Sequence, residues 1–312
     1  MRLALIIAFL TGMYTTTVYA QTNTVKTDTL REAQTNSTAQ TTETKQDSIA
    51  VEEQKKKVTF TIGALYASNA SYYGQTAVNK LPYVAAAASI QFKSGFYFTG
   101  TAFRLLNDSV SAVSAGSAGA GFTFPLGKKF TADLSYSHTF YPENSAFLQA
   151  ANSDNAAASL KYKYWMTTGI SADYAFGKQQ DVFITLSTEK LISLGSIKKN
   201  KDLITLTPAI EVIGGTQHFY QTYISEKISQ LSKLGLPIPN LPGWPRNTST
   251  STTTEENTSF DLLSYNLKVP LAYNRAHYML QLEYQLSVLS DKALSGANTS
   301  HSFFNCSFYY QF

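Results

Sequence analysis

One apolar period runs through most of this chain, and that period is two. From Val58 onward, large apolar residues fall on alternate positions, the pattern of strands with one face in an apolar medium. Val58, Phe60, Ile62, Ala64 and Tyr66 open the series. Val84, Ala86, Ala88, Ile90 and Phe92 repeat it, and Lys93-Ser94-Gly95 turns the chain into Phe96, Phe98, Gly100 and Ala102. A Gly- and Ala-rich fourth segment ends at Phe122, Phe124 and Leu126. Gly127-Lys128-Lys129 leads into a fifth over 130–140. The pattern predicts a long sixth strand over 160–176, then strands over 182–186, 204–212, 218–224, 263–271 and 278–288. The last is the C-terminal segment 303–312.

That last segment says what the apolar face meets. Phe304, Cys306, Phe308, Tyr310 and Phe312 share one parity, and Phe303, Asn305, Ser307, Tyr309 and Gln311 the other. In water such an edge would recruit other strands. It is tolerable where the apolar face meets lipid and both edges are paired. Charge placement agrees: Asp133, Lys161, Lys163, Asp173, Glu189, Glu211, Lys268 and Glu283 all lie on the parity opposite the apolar one. Arg104 and Lys190 do not, but both sit near strand ends, where a lipid-facing charge costs little. A soluble sandwich also alternates, but it turns its polar face outward. Connections alternate between short and long, with Lys93-Ser94-Gly95 and Gly127-Lys128-Lys129 among the short ones. The expected fold is therefore all-β: an antiparallel transmembrane β-barrel of about twelve strands. Segments four and nine are the weakest, so ten strands stay open, as do fourteen if segment six or eight splits.

Arg2 followed by an apolar run over 3–13 and by Val18-Tyr19-Ala20 reads as a signal peptide over 1–20. The run is too short for a membrane-spanning helix, which needs roughly 20 residues. Residues 21–57 are rich in Thr, Gln, Ser, Glu and Lys and cannot bury enough surface to offset chain entropy. They are expected to form a disordered periplasmic tail ahead of a barrel over 58–312. A single cysteine, Cys306, excludes a disulfide framework. A formal charge of +4, with no basic patch interleaved with aromatics, gives no sign of a nucleic-acid partner.

Over 58–312 the chain resembles Gram-negative outer-membrane β-barrel proteins, by pattern and not by a family motif. Its Tyr- and Thr-rich style and its tail are similar to those of Bacteroidetes surface proteins. The terminal aromatics Phe304, Phe308, Tyr310 and Phe312 resemble the signal that the barrel-assembly machinery reads on its clients. The resemblance implies an outer-membrane location and contact with membrane lipid and lipopolysaccharide. It also implies the assembly machinery as a partner, and leaves other outer-membrane proteins open as partners.

Enzymatic barrels of the phospholipase and lipid A deacylase types resemble one another in pairing a His with a Ser two residues on. His138, His218, His277 and His301 are followed by Thr139-Phe140, Phe219-Tyr220, Tyr278-Met279 and Ser302-Phe303, so none fits. His138 falls on the lipid parity and is expected in the interfacial belt beside Phe140. Scattered His and one Cys give no metal-ligand spacing, and no cofactor motif is present. The glycines over 116–121 sit in a strand pattern, where they let a neighbouring side chain or a plug approach the wall. The eight charges on the inner parity are the candidate site, lining a lumen. They point to a narrow passive channel for small polar solutes, and not to an enzyme. A filled, structural barrel in a larger complex stays open as an alternative, and a lipid-acting enzyme as a third. One irregular loop stands out at about 225–258. Ile224, Ile228, Leu231 and Leu234 have helical spacing, and a Pro-rich apolar strip follows. A lid, a constriction inside the lumen and a partner-binding loop all fit it.

Overall fold

The computed structural model describes residues 58–312 apart from 109–111, 144, 199–201, 234–258 and 294–298. The expected signal peptide, the tail and the Pro-rich strip lie outside the described residues. The strands are β1 (Val58–Ala67), β2 (Ser71–Tyr72), β3 (Gln75–Thr76), β4 (Tyr83–Phe92), β5 (Phe96–Leu105), β6 (Ala115–Leu126), β7 (Phe130–Phe140) and β8 (Asp154–Lys163). They continue with β9 (Thr167–Phe176), β10 (Gln180–Glu189), β11 (Ile192–Gly195), β12 (Asp202–Leu206), β13 (Ala209–Gly215), β14 (Asp261–Arg275), β15 (Tyr278–Leu289) and β16 (Ser300–Gln311). One helix, α1 (His218–Lys233), stands between β13 and β14.

All wall pairings are antiparallel, and the sheet closes. β1 pairs with β4 on one side and with β16 on the other, and β14–β15 completes the ring. The wall is a closed twelve-stranded barrel, because β10–β11 and β12–β13 each act as one interrupted strand. Pro208 explains one interruption: it has no N–H for the ladder, and its carbonyl accepts Lys190 N at 3.0 Å. Closure of β16 on β1 leaves the aromatic C-terminal segment without a free edge. Ile62 faces Tyr310, Ala64 faces Phe308, and Phe312 N donates to Phe60 O at 2.9 Å.

The expected count of twelve holds, through two departures that cancel. The predicted strand over 160–176 is a hairpin, β8–β9, turning at Tyr164-Trp165-Met166. In this register Tyr162 faces Thr168 and Leu160 faces Ile170, so even positions pair with even positions. The apolar period therefore passes through the turn unbroken, and no Gly, Pro or Asn marks it. The predicted strand over 218–224 is instead the start of α1. Phe219, Tyr220, Tyr223 and Ile224 are its buried residues, the spacing of one helix face. The helix thus begins six residues earlier than the 224–234 expected.

One consequence follows for the two ends of the barrel. The three-residue turn at Gly177 lies on the long-loop end, together with the connections after β1, β5, β7, α1 and β15. The β11–β12 hairpin lies on the short-turn end, beside Val58 and Phe312.

Outside, the wall is apolar. Phe96, Phe98, Leu134, Phe140, Leu186, Leu282, Phe304 and Phe308 are among many exposed large side chains. Near the short-turn end they form an aromatic belt, with Phe60–Phe312, Phe96–Phe122 and Phe130–Tyr162 centroids 5.4, 4.6 and 4.7 Å apart. Such a surface is stable only against hydrocarbon. Inside, the glycines of β6 make room as expected: a Cβ on Gly121 would stand 2.3 Å from Tyr97 Cζ, so the ring lies flat on the wall.

Candidate functional site: a charged interior beneath a plug

The eight charged residues singled out in the sequence lie on the inward face by register, in three groups. Glu189, Glu211, Lys268 and Glu283 come together on β10, β13, β14 and β15. Lys268 Nζ stands 2.7 Å from Glu211 Oε1, and Asn305 Nδ2 donates to Glu283 Oε1 at 3.0 Å. Across the barrel, Asp133 accepts from Tyr97 Oη at 3.0 Å and from Thr123 Oγ1 at 2.5 Å. Lys161 and Lys163 continue that wall toward the short-turn end, where Lys163 is exposed. Asp173 stands apart, higher on β9, facing Phe183 across the ladder and accepting from Asn155 Nδ2 at 3.4 Å. Acids outnumber lysines among these inward residues.

Above Asp173 the interior is filled by chain rather than by wall. Residues 68–82, the first long connection, fold inward and carry the β2–β3 hairpin. Tyr72 is 0% exposed, and Tyr73, Gln75, Thr76 and Ala77 are buried beside it. The hairpin is gripped by rings and by polar contacts. Tyr73 lies 3.8 Å from Phe183, and Tyr72 lies 4.2 Å from Phe219 of α1. Ser264 Oγ donates to Tyr73 O at 2.7 Å, and Gln75 Nε2 donates to Gln217 Oε1 at 2.7 Å. Its turn needs left-handed backbone at Tyr73 (φ 51°) and Gly74 (φ 87°). A Cβ at Gly74 would also meet Ser264 Oγ at 2.8 Å. Burial and the nearby carboxylates Asp181 and Asp173 hold both tyrosine hydroxyls well above their usual pKa.

Two further inserts complete the plug. Phe147, Leu148, Gln149 and Asn152 of the β7–β8 connection are buried against it, and so are the first turns of α1. Burial pushes the Tyr220 hydroxyl up to about 12. One wall residue ties the inserts together. Asp181 Oδ1 accepts from Thr216 Oγ1 at 2.8 Å and from His218 N at 2.8 Å. Its Oδ2 accepts from Phe219 N at 3.0 Å and from Asn152 Nδ2 at 2.8 Å. His218 Nδ1 stands 3.1 Å from Oδ1. Asp181 thus caps α1, supplying acceptors for N–H groups that a helix start leaves unpaired, while holding the β7–β8 connection.

Sequence reasoning missed this plug. It placed the irregular feature in the loop at about 225–258, whereas the described occupant of the mouth is chiefly the connection at 68–82. The readable signal was Tyr72-Tyr73-Gly74-Gln75, an aromatic pair before a glycine inside a connection. Asp181 was also legible, since it shares the inward parity of Phe183.

No protein-family model matches the chain, and no curated protein does. Among solved structures, it is similar to a KdgM porin at 9% identity and TM-score 0.46, covering 81% of this chain and 99% of the other. An outer-membrane channel from Pseudomonas putida F1 compares at 11% identity and TM-score 0.45, over 86% and 100%. LpxR from Salmonella typhimurium compares at 9% and 0.43, over 81% and 99%. Values this low describe shared barrel architecture alone. The class of this protein rests on its own closed wall and apolar exterior: it is an outer-membrane type β-barrel, with a charged interior and a mouth filled by its own connections.

Proposed function

We propose that this chain is a narrow outer-membrane channel for small polar solutes, closed at its long-loop mouth by the plug. The carrying observation is the placement of charge. Glu211, Lys268, Glu283, Asp133 and Lys161 line the part of the interior below the plug, where the lysine–glutamate pair keeps 15% side-chain exposure on each partner. A barrel built only as a filled cylinder would gain more from apolar packing there than from a partly wet ion pair. In this reading the short-turn end faces the periplasm with the tail at 21–57. The apolar belt meets membrane lipid and lipopolysaccharide, and the terminal aromatic strand is presented to the assembly machinery.

Conduction requires the hairpin at 71–76 to move. Its polar contacts to the wall are few, and Gln149 Oε1 and Nε2 and Asn266 Oδ1 are buried at its border without a hydrogen-bond partner among the described residues. Such atoms call for water, and a wet seam lowers the cost of displacement. The test is planar-bilayer recording on the refolded mature chain, beside a variant in which 70–77 is replaced by a Gly-Ser linker of equal length. Small or intermittent currents from the first, and severalfold larger ones from the second, are expected. Silence from both sinks the channel reading. It would favour the second reading, a sealed structural barrel in a larger complex, which the three-part plug supports.

The chain is read as a non-enzyme. His138 lies on the outer wall and bonds a carboxylate through Nδ1; among the described residues, no hydroxyl is bonded to its ring. No activity of the parent on phospholipid or lipopolysaccharide is expected; activity that disappears in His138→Ala would favour the lipid-acting enzyme instead.

A further inference from the structure

The two ends of the barrel differ in charge. At the long-loop end signs are mixed, and Lys178 pairs with Glu226 at 3.1 Å. At the short-turn end Lys93, Lys128, Lys129, Lys190, Lys198 and Arg275 stand on the turns, the strand ends and the β11–β12 hairpin. Asp202 is the one acidic side chain in the same described turns and hairpin, and it is consumed locally. Its Oδ1 accepts from Ser196 Oγ, from Ile197 N at 3.1 Å and from Lys198 N at 3.0 Å. None of the six cations is ion-paired among the described residues.

On one sector of this rim the charge is fixed to a row of rings. The β6–β7 turn folds against β8, where Lys163 N donates to Lys129 O at 2.8 Å. Lys129 Nζ then stands over the Tyr162 ring, 6.0 Å from its centroid. Phe130 lies 4.7 Å from Tyr162 on one side, Tyr164 stacks at 5.2 Å on the other, and Trp165 follows at 5.8 Å from Tyr164. Lys190 closes the row: its Nζ lies 5.1 Å from the Trp165 centroid and donates to Trp165 O. Phe130, Tyr164 and Trp165 are exposed, and Tyr162, Tyr164 and Lys190 share the lipid-facing parity.

Position and charge together decide what this row can hold. It belongs to the aromatic belt, and such belts sit at the depth of lipid headgroups. A soluble macromolecule does not reach that depth. The lysine stems lie along apolar surface while their ammonium groups stay at its polar edge. An ammonium carries three donors, and those of Lys190 find one acceptor on the chain, Trp165 O. The ring faces orient both cations without neutralising them. A cation beside hydrocarbon is costly without a counter-charge, and an anionic headgroup supplies one at the right depth.

We infer that this row is a binding site for anionic glycerophospholipid, whose phosphate oxygens accept from Lys129 and Lys190 while its acyl chains lie against Phe130 and the apolar wall. Which leaflet supplies the lipid rests on the orientation proposed above. The site itself stands whether or not the barrel conducts.

Native mass spectrometry decides the matter, on the full mature chain refolded into vesicles of equal phosphatidylglycerol and phosphatidylethanolamine with matched acyl chains and then released into detergent. Retained phosphatidylglycerol is expected to exceed phosphatidylethanolamine about tenfold, the scale of one or two basic side chains at an anionic surface. Lys129→Gln combined with Lys190→Gln is expected to abolish the preference. Lys80→Gln combined with Lys178→Gln removes the same charge from the long-loop end and is expected to leave the preference intact. Heat-modifiability on gels verifies that each variant is folded. Equal retention of the two lipids by the parent, a preference unchanged in the folded Lys129 and Lys190 variant, or the same fall in the Lys80 and Lys178 variant would each overturn the assignment. Both ends of the barrel meet the same lipids in these vesicles, so such a failure leaves the proposed orientation and channel standing.

Discussion

At the scale of single residues, the plug hangs on Asp181. It is 0% exposed, and two oxygens serve donors from three segments: the start of α1, Thr216 and Asn152. Removing a buried acceptor strands its donors, and hydrogen bonds to a charged group are the costlier kind to lose. Asp181→Ala is expected to destabilise the mouth by on the order of 3 kcal/mol without opening the wall, because Phe183 and Val182 keep their ladder with β9 and β13. Bilayer recordings should show more frequent opening than in the parent, while the gel shift that reports an intact barrel persists. Unchanged gating in a folded Asp181→Ala variant would move the anchor elsewhere in the plug. Gln75 and Gln217 are the next candidates, joined at 2.7 Å.

At the scale of elements, what was legible depended on whether a strand ended in turn chemistry. Glycine marks the β4–β5 and β6–β7 turns, at Gly95 (φ 101°) and Gly127 (φ 76°), and both were placed correctly. The β8–β9 turn uses Tyr164-Trp165-Met166 and keeps parity, so period two alone has no way to report it. The start of α1 was misread because Phe219, Tyr220, Tyr223 and Ile224 satisfy strand composition as well as helix spacing; the capping acceptor that selects the helix, Asp181, sits 37 residues upstream of His218. The inward parity of Asp133, Lys268 and Glu283 was legible, since alternation needs no partner. Which of them meet depends on register, and register is a property of pairs of strands. The terminal strand supports a prediction of its own. Phe312 closes β16 against β1, with its N–H on Phe60 O and its ring 5.4 Å from that of Phe60. Deleting it removes the last ladder bond and an apolar anchor in the aromatic belt. Membrane insertion in cells should fall severalfold, as read by the folded fraction in outer-membrane preparations. A deletion variant that assembles normally would count against a role for the terminal aromatic in assembly.

At the scale of the whole molecule, the inner face carries a pattern of charge, and its sign follows from who pairs with whom. Lys268 is the only lysine within the four-residue group on β10, β13, β14 and β15, and it faces three glutamates. Glu211 takes its ammonium directly, so Glu189 and Glu283 are left to set the local potential, with Asn305 holding Glu283 in place. On the opposite wall Lys161 stands near Asp133, and Lys163 lies at the exposed short-turn end. In the proposed channel, a solute crossing the middle of the barrel would meet net negative charge between low-dielectric walls, where fields are focused and weakly screened. A cation preference is expected in bilayers under a salt gradient. Lys268→Gln should strengthen it, because Glu211 then loses its counter-charge; Glu211→Gln should weaken it. The two variants share one hydrogen-bonded pair, so they perturb packing alike while changing charge in opposite directions. Reversal potentials that move in opposite directions would locate the conducting path beside this pair. Potentials that move together, or not at all, would mean that ions pass elsewhere or do not pass, and that Lys268 and Glu211 serve to stiffen the wall.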